Sequence, residues 1–409
     1  MPQPVNRDGA EADLIRWRAD TPGCSQRIHL NNAGAALMPS VVKDAITGHL
    51  GRESSAGGYE AADAAAPLLA DTYAALGELV GATSRNIAVV SSATRAFAQA
   101  LSAFDFAPGD IILTSTDDYI SNQLMYLSLG RRCGVQVVRV PDAPEGGVDV
   151  DAVVRALKGK VRPRLVALTW IPTNSGLIQP AAAIGAACRE AGVPFLLDAC
   201  QAVGQLGVDM RALHCDYLAA TARKFLRGPR GVGVLAVSDE ALARGDFPLL
   251  VDMRGARWTG ADTFAPVDDA RRFEEWELPY ALVLGLGAAA RYALTEGIPA
   301  IAARAHALAA ETRALLGGIP GVRSLDRGAS LSAIATFEIS GAHGVSRDSR
   351  EIVLALREQG INTSAQSRGD AVIDFDRKSV SSLLRVSPHY YNTRDEIMQL
   401  RSALSQLVS

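Results

Sequence analysis

The stretch Val193–Val237, VPFLLDACQAVGQLGVDMRALHCDYLAATARKFLRGPRGVGVLAV, decides the fold of this chain. It begins with an apolar run that ends in Asp198, and Lys224 follows a second apolar run. Short apolar runs that are bounded by turn residues predict buried strands. In a parallel sheet the carboxyl ends of the strands lie at one edge, where ligands bind. We therefore expect Asp198 and Lys224 to lie together at that edge.

Similar runs occur on both sides of this acid–lysine pair and alternate with helical segments. Such alternation predicts βαβ units, with a mostly parallel sheet and helices on both of its faces. The predicted strands are Ile87–Ser91, Ile111–Ser115, Val135–Val140, Leu165–Trp170, Val193–Asp198, Tyr217–Ala222 and Val232–Val237, and the helices between them include Thr94–Phe104 and Ala181–Ala191.

The sequence changes in character after Pro279. Two Ala-rich helices are predicted first, then a strand and two more helices, in an α+β region large enough for a small core of its own. They are Tyr280–Glu296, Ile298–Leu316, Leu331–Phe337, Ser349–Glu358 and Arg394–Leu407. We therefore divide the chain into an N-terminal segment 1–24, a large domain 25–280 and a small C-terminal domain 281–409.

The composition is that of an ordinary globular protein. Of its 409 residues 48% are hydrophobic and 21% are charged, and the net charge is −3. These values exclude a disordered chain and a fibrous protein, and they predict no nucleic-acid partner. No apolar run reaches the roughly 18 residues of a membrane span. A polar N-terminus, Met1–Ala10, and five cysteines without a C-x-x-C pair predict a cytoplasmic protein. The histidine spacing predicts no metal site.

An acid and a lysine at two strand ends of one sheet are the pair that a pyridoxal 5′-phosphate (PLP) site requires. The lysine forms a Schiff base with the cofactor, and the acid keeps the pyridine nitrogen protonated so that the ring accepts electrons. Upstream, Ser92-Ala-Thr-Arg95 follows a predicted strand and opens a helix. Backbone N–H groups at a helix N-terminus bind phosphate, although the same tetrapeptide also fits an ordinary capped helix start.

Three motifs carry a family resemblance: Asp198-Ala-Cys-Gln201, Thr221-Ala-Arg-Lys224 and Gly228-Pro-Arg-Gly231. Together they resemble the core of the class V aminotransferases, a group that includes cysteine desulfurases, isopenicillin N epimerases and C–S lyases. The resemblance covers nearly the whole chain. It implies the fold-type I architecture of PLP enzymes, an α/β fold with a smaller α+β C-terminal domain. It also implies an amino-acid substrate and a homodimer with the site at the subunit interface.

The resemblance implies a role for each matching residue. Lys224 would form the Schiff base, Asp198 would pair with the pyridine nitrogen, and Tyr119 would cover the cofactor ring. The other implied cofactor contacts are Ala93, Thr94, Arg95, Thr221 and Arg223 at the phosphate and Thr173 and Gln201 near the phenolic oxygen. The implied substrate contacts are Asn32, Ala33 and Gly34 at the mouth of the site and Arg385 on the substrate carboxylate, through a bidentate fork. Taken singly, the segments around Asn32, Tyr119 and Thr173 also fit ordinary turns and surface loops.

The chain departs from the desulfurase pattern in two places. Desulfurases carry a cysteine in a loop upstream of the carboxylate-binding arginine, but residues 362–382 contain none, and no cysteine follows Cys215. Without a thiolate there, no persulfide can form, so we predict that the chain is not a persulfide-forming desulfurase. Arg272-Phe-Glu-Glu-Trp-Glu277 also lacks the threonine that reaches the phosphate of the neighbouring subunit.

These observations favour a PLP-dependent lyase that cleaves a cysteine S-conjugate or sulfoxide by β-elimination to pyruvate and ammonia. Tyr119 would protonate the departing sulfur. An aminotransferase or an amino-acid epimerase is the alternative, since both reactions start with removal of the same Cα proton.

Two further alternatives have less support. Gly285-Leu-Gly-Ala-Ala-Ala290 matches the dinucleotide fingerprint G-x-G-x-x-A, which would indicate an NAD-dependent dehydrogenase. No buried strand follows at the required distance, so the small residues fit close helix packing better. A non-catalytic PLP-fold protein would be expected to have lost Lys224, Asp198 or Arg385, and all three are present.

Overall fold

A computed structural model describes residues 7–341 and 345–408, with side chains from residue 11 onward. The strands are β1 (Ile28–His29), β2 (Ile87–Val90), β3 (Ile111–Ser115), β4 (Gln136–Val140), β5 (Leu165–Thr169), β6 (Phe195–Asp198), β7 (Tyr217–Thr221), β8 (Gly233–Val237), β9 (Ala256–Gly260), β10 (Thr263–Pro266), β11 (Val322–Ser324), β12 (Ala335–Ile339), β13 (Ile361–Asn362), β14 (Ser364–Ser367) and β15 (Ser382–Val386). The helices are α1 (Arg7–Ala19), α2 (Asn32–Ala35), α3 (Ser40–Ala56), α4 (Gly58–Ala64), α5 (Ala66–Leu79), α6 (Ala93–Ser102), α7 (Ile120–Cys133), α8 (Val150–Leu157), α9 (Ala181–Ala191), α10 (Asp239–Ala243), α11 (Tyr280–Glu296), α12 (Ile298–Gly317), α13 (Ser349–Glu358), α14 (Val372–Lys378) and α15 (Arg394–Val408).

A seven-stranded sheet of order β2-β8-β7-β6-β5-β3-β4 forms the centre of the molecule. Only β8 runs antiparallel to its neighbours, so the predicted, mostly parallel sheet is confirmed. Strands β5 to β8 are buried along their whole length because helices cover both faces. Phe97 of α6 and Tyr126 of α7 belong to the core on one face, whereas Val153 of α8 and Ile184 of α9 belong to the core on the other.

A second, antiparallel sheet of order β11-β12-β15-β14 organises the C-terminal region. Its core contains Phe337 from the sheet with Leu316, Ile352 and Ile397 from α12, α13 and α15. The predicted α+β character of this region is confirmed. The strand predicted at 331–337 begins later, at residue 335. The backbone N–H of Ser332 donates to the carbonyl of Gly176, and that of Ala333 donates to the side chain of Gln205, so neither takes part in the sheet.

The domain boundary predicted at residue 280 does not coincide with the point where the chain leaves the core of the large sheet for the core of the C-terminal region. Helix α11 lies against α3 and α5 and contributes Val283 and Leu286 to the core beneath the large sheet. The core of the C-terminal region begins near the end of α12, and β1 pairs with β13 of that region. Residues 1–6 of the N-terminal segment 1–24 lie outside the described residues, and Trp17 of α1 is buried in the large core.

The dinucleotide-like motif lies inside α11, so the dehydrogenase alternative is wrong. A dinucleotide fingerprint needs a strand that turns into a helix, and here the glycines are in the interior of a helix. A Cβ at Gly285 would lie 2.6 Å from Ile46, and one at Gly287 would lie 2.1 Å from the hydroxyl oxygen of Thr72. Both glycines therefore serve the close packing of α11 against α3 and α5.

Within the described ranges, no single helix is long and apolar enough to cross a membrane. Helices α11 and α12 satisfy that test only together, and they are bent by 84° at their junction. The same residues hold no group of three or more His, Cys, Asp or Glu side chains that is arranged to bind a metal ion.

Candidate active site

A cavity of about 650 Å³, including space open to solvent, lies at the carboxyl edge of the large sheet. Strands β5, β6 and β7 end there, at Thr169, Asp198 and Thr221. Most of the predicted site residues line it: Ala93, Thr94, Tyr119, Thr173, Asp198, Gln201, Thr221, Arg223 and Lys224. The chain thus brings together side chains that are up to 131 residues apart, from Ala93 to Lys224.

Lys224 and Asp198 both lie in this cavity, and both are largely buried. Burial lowers the pKa of the Lys224 ammonium, which favours the neutral, nucleophilic amine. One carboxylate oxygen of Asp198 accepts a bond of 2.9 Å from the side-chain amide of Asn122, and the other accepts the backbone N–H of Cys200 at 2.9 Å. These two donors fix the direction in which the carboxylate faces.

The ring of Tyr119 faces Lys224, with the ammonium nitrogen 5.9 Å from the ring centroid. Its backbone N–H donates to the carboxylate of Asp118 at 2.7 Å, just before α7 begins. Asp118 is buried and also accepts bonds from Thr114, Thr169 and the side-chain amide of Gln123. These bonds fix the Asp118 carboxylate, which in turn fixes the backbone of Tyr119.

Gln201 and Thr173 connect the cavity to Arg385. The amide nitrogen of Gln201 lies 3.1 Å from the carbonyl oxygen of Ala33 and 3.3 Å from the hydroxyl of Thr173. The Arg385 guanidinium donates to the same hydroxyl and, at 3.3 Å, to the side-chain oxygen of Asn31. Burial, and then the nearby Arg223, lower the pKa of Arg385 to about 10. Because this value is still well above 7, the guanidinium stays positively charged at neutral pH.

The N-terminus of α6 forms another wall of the cavity. Ser92 caps the helix by accepting the backbone N–H of Arg95 at 3.1 Å, and Ala93 and Thr94 line the cavity. Strand β8 approaches so closely that a Cβ at Gly233 would lie 2.6 Å from the nitrogen of Ala93. First-turn N–H groups have no partner within their own helix, so this end can receive an anion.

Five predicted contacts are not among the residues that line the cavity: Asn32, Ala33, Gly34, Arg95 and Arg385. The guanidinium of Arg95 pairs instead with Glu275, and both side chains are partly exposed. The Asn32 side chain is buried and bonds to Ser387 and Tyr391, so it supports the chain internally. Gly34 also lies outside the cavity wall, and its carbonyl accepts a bond from Arg223.

Sequence reasoning missed Asn122, Asn31 and Cys200. Asn122 lies three residues after Tyr119, in the first turn of α7, where a polar residue faces back to the strand ends. Asn122 could have been predicted from its position, since it is a polar residue shortly after the end of β3. Asn31 adjoins the quoted motif at Asn32, and Cys200 lies between Asp198 and Gln201 and lines the cavity. Side-chain direction could not be read for either residue from the sequence.

The residues present fit PLP. The cavity offers a lysine amine, a fixed carboxylate and a helix N-terminus on separate walls, as the amine-reactive carbon, ring nitrogen and phosphate of this cofactor require. The side-chain oxygen of Gln201 and the Nε of Arg385 are buried and have no protein partner among the described residues. Both atoms therefore have unused hydrogen-bonding capacity.

The family model described as "Aminotransferase class-V" matches residues 28–400.

This chain belongs to the class V aminotransferase family.

The family resemblance read from the motifs is confirmed, and so is the fold-type I architecture. Membership also supports PLP as the cofactor and an enzyme that acts on amino acids. The solved structure of an apo cysteine desulfurase from Thermococcus onnurineus NA1 is 22% identical, covers 96% of this chain and 97% of its own, and superposes with a TM-score of 0.86. A second solved structure, a C-DES mutant with glycine covalently linked to its PLP cofactor, is 24% identical and covers 95% of this chain and 98% of its own, with a TM-score of 0.82.

Among curated relatives, a protein of Mycobacterium tuberculosis (strain CDC 1551 / Oshkosh) named "Probable hercynylcysteine sulfoxide lyase" is 29% identical. The match covers 98% of this chain and 95% of that protein. Several other relatives, from 24% to 29% identical, carry the name cysteine desulfurase. The similar proteins therefore carry two kinds of name, a sulfoxide lyase and cysteine desulfurases.

Proposed function

We propose that this PLP-dependent enzyme is a C–S lyase that acts on a cysteine S-conjugate or sulfoxide. For a thioether the balanced reaction is R–S–CH₂–CH(NH₃⁺)–CO₂⁻ + H₂O → R–SH + pyruvate + NH₄⁺. The C–S bond breaks with its electron pair on sulfur, which then takes up a proton. The observation that carries the proposal is the ring of Tyr119, whose centroid lies 5.9 Å from the Lys224 side-chain nitrogen and which lines the same cavity.

PLP, when bound, supplies a ring that accepts electron density from the substrate Cα. Asp198 is held by Asn122 and Cys200 with its carboxylate fixed, and it would keep the ring nitrogen protonated. Lys224, whose pKa is lowered by burial, would remove the Cα proton as a general base.

Arg385 would hold the substrate carboxylate. Its guanidinium is buried and positively charged, and its Nε is an unused donor. Within the described chain, no carboxylate lies within ion-pair distance of it. A planar guanidinium binds a carboxylate through two parallel hydrogen bonds, which would orient the substrate beside Lys224.

Tyr119 would donate the proton that the departing sulfur needs. A phenol held in place by its backbone bond to Asp118 can act as a general acid without a large rearrangement. Proton donation matters most for a poor leaving group such as an alkyl thiolate. The same hydroxyl has no sulfur to protonate in a transamination or an epimerisation.

The cysteines of the chain support a lyase over a persulfide-forming desulfurase, although many relatives carry the desulfurase name. Residues 362–382 form β14 and α14 and contain no cysteine. Cys200 lines the cavity, but burial, and then the neighbouring Asp198 carboxylate, raise its pKa well above the usual value. A thiol that stays protonated is a poor nucleophile toward sulfur.

We also propose that the functional unit is a homodimer. Within the segment Arg272–Leu278, Arg272 and Glu274 are buried and bonded within their own chain, whereas Trp276 is 46% exposed. A separate surface is apolar and exposed, and contact between the rings of Phe247 and Phe264 joins its loop to the β9–β10 hairpin. It consists of Phe247, Leu249, Leu250, Met253, Trp258 and Phe264. Exposed apolar side chains that cluster in one loop and a neighbouring hairpin are typical of a protein interface, and a two-fold dimer is the commonest soluble assembly.

Product analysis tests the proposed reaction. The PLP-loaded enzyme is incubated with S-methyl-L-cysteine, its sulfoxide, L-cystine and L-cysteine, and pyruvate, ammonia and sulfur products are quantified. We expect equal amounts of pyruvate and ammonia from a conjugate or sulfoxide. A keto acid without ammonia would indicate an aminotransferase, the D-amino acid an epimerase, and alanine from L-cysteine a desulfurase; each of these results contradicts the proposal.

Lys224→Ala is the control for the cofactor. It is expected to abolish pyruvate formation and to leave no lysine that borohydride can label with PLP. Covalent labelling of a different lysine in the unchanged enzyme would contradict the assignment of Lys224.

A further inference from the structure

Five polar residues from three parts of the chain meet in a buried cluster beside the active site. This junction cluster consists of Asp117, Asn174, Ser175, Asp374 and Lys378. The first four are at most 5% exposed, and the Lys378 side chain is 10% exposed. The cluster therefore joins α14 of the C-terminal region to two loops at the carboxyl edge of the large sheet.

The hydrogen bonds within the junction cluster are 2.6–3.1 Å long. Each joins two different segments of the chain, except the bond between Lys378 and Asp374, which spans one turn of α14. The side-chain amide of Asn174 donates to Asp117 at 2.8 Å and to Asp374 at 2.7 Å. Ser175 donates to Asp117 at 2.8 Å. Lys378 donates to Asp374 at 2.6 Å and to the carbonyl oxygen of Asn174 at 3.1 Å.

Lys378 supplies the positive charge of the junction cluster. Two carboxylates, those of Asp117 and Asp374, are buried close together, and Lys378 is the cation that bonds within the cluster. A buried carboxylate is costly unless it is paired and hydrogen-bonded. These hydrogen bonds form together only while α14 and both loops keep one relative position, and the side-chain oxygen of Asn174 is the one atom of the cluster that is buried without a partner among the described residues.

Each loop residue of the cluster is a chain neighbour of an active-site residue. Asn174 follows Thr173, whose hydroxyl accepts bonds from Arg385 and Gln201. Asp117 lies two residues before Tyr119. Because consecutive Cα atoms are about 3.8 Å apart and the peptide bond is planar, a shift of Asn174 or Asp117 moves these active-site residues as well.

We propose that Lys378 and Asp374 are positioning residues that hold the Thr173 and Tyr119 loops, and through Thr173 the guanidinium of Arg385, in the geometry that receives an amino-acid substrate. The inference rests on the proposed role of Arg385 in binding the substrate carboxylate. It does not depend on which bond the enzyme breaks afterwards.

The test measures the binding of L-alanine to the PLP-loaded enzyme through the change in cofactor absorbance. L-Alanine is chosen because it has no leaving group on Cβ. We expect Lys378→Met to raise the Kd for L-alanine about tenfold or more, and Lys378→Arg to restore it to within about threefold of the unchanged enzyme. A misplacement of about 1 Å in a site can cost as much as a hundredfold. Hydrogen exchange of the backbone amides of 173–176 and 372–378 should become faster in Lys378→Met, measured also without cofactor.

The matched control is Arg368→Met, which removes an exposed ion pair with Asp376 on the same segment. It should change neither the Kd nor the exchange rates. If Lys378→Met behaves like Arg368→Met, or if it lowers only the thermal midpoint while Kd and exchange stay unchanged, the positioning role is overturned. If Lys378→Met does not fold, Lys378→Gln replaces it, with a raised Kd expected and an unchanged Kd overturning the inference.

Arg385→Ala separates the two levels of inference. If Arg385→Ala leaves the Kd for L-alanine unchanged, the proposed carboxylate site is wrong, and the positioning role falls with it. If Arg385→Ala raises the Kd while Lys378→Met does not, the carboxylate site stands and the junction cluster alone is refuted.

Discussion

Tyr119 and Arg385 should separate in steady-state kinetics, because the two side chains would act at different stages of the reaction. Tyr119→Phe keeps the ring beside Lys224 and removes only the proton donor. We expect kcat on S-methyl-L-cysteine to fall about 10²–10⁴-fold with little change in KM, the usual contribution of a general acid.

Arg385→Ala is the comparison for that prediction. A buried, charged contact to a carboxylate typically costs about 2–5 kcal/mol when it is removed, so this change should act mainly on KM. If Tyr119→Phe retains the full kcat on every sulfur conjugate and sulfoxide tested, Tyr119 is not the acid, and the lyase proposal loses its main residue.

The carboxyl group of Asp117 gives a prediction about pH and stability. Burial, and then the neighbouring Asp374, raise its pKa to about 6, whereas an unfolded aspartate has a pKa of about 3.9. Between these values the folded protein holds a proton that the unfolded chain lacks, so this group's contribution to stability falls as pH rises from about 4 to 6. Asp117→Asn should therefore gain thermal stability relative to the unchanged protein between pH 4 and pH 7.

The measurement is the difference in thermal midpoint between Asp117→Asn and the unchanged protein, taken at several pH values. Asp63→Asn, the same change at an exposed side chain on α4, serves as the control. A pH dependence for Asp117→Asn no larger than that for Asp63→Asn would contradict the prediction.

At the scale of elements, the packing of α11 gives a third prediction. Thr72 of α5 lies where a Cβ at Gly287 would be placed, and Thr72 is fixed by its own bond to the carbonyl of Leu68. Gly287→Ala should destabilise the fold by about 1–3 kcal/mol through overpacking, despite the better helix propensity of alanine. Denaturant unfolding measures the loss.

Gly48→Ala on α3 is the matched control, since a Cβ there meets no atom within 4 Å and the position is exposed. It should stabilise the protein by up to about 1 kcal/mol. Equal effects of the two changes would mean that α11 does not pack on α5 as described.

At the scale of the whole molecule, the exposed apolar surface predicts an assembly. Trp258 and Leu250 are 82% and 76% exposed, and charged residues there would oppose its burial against a second copy. We expect Leu250→Asp with Trp258→Asp to convert a dimer into a monomer at micromolar concentration, measured by light scattering.

Val161→Asp provides the control for that prediction, because Val161 is also exposed, at 67%, but lies outside this surface. It should leave the dimer intact. An unchanged protein that is a monomer at micromolar concentration and fully active would contradict the homodimer.

The large sheet and the acid–lysine pair follow from the amino-acid sequence alone. Strands β2 to β8 were predicted to within two residues because each is a short apolar run between turn residues, which is a local property of the chain. Asp198 and Lys224 could be placed at one edge because all carboxyl ends of parallel strands meet there. The family motifs extended this to Gln201, Thr173 and Arg385, which the structure brings together.

The directions of side chains and the contacts between distant segments depend on how the chain packs in three dimensions. Arg95 follows the helix cap as predicted, yet its guanidinium turns away to Glu275. Asn122 reaches Asp198, and Lys378 reaches Asn174, across 76 and 204 residues of sequence. Such contacts depend on rotamers and on the packing of whole elements, and neither is encoded in the spacing of residues along the chain.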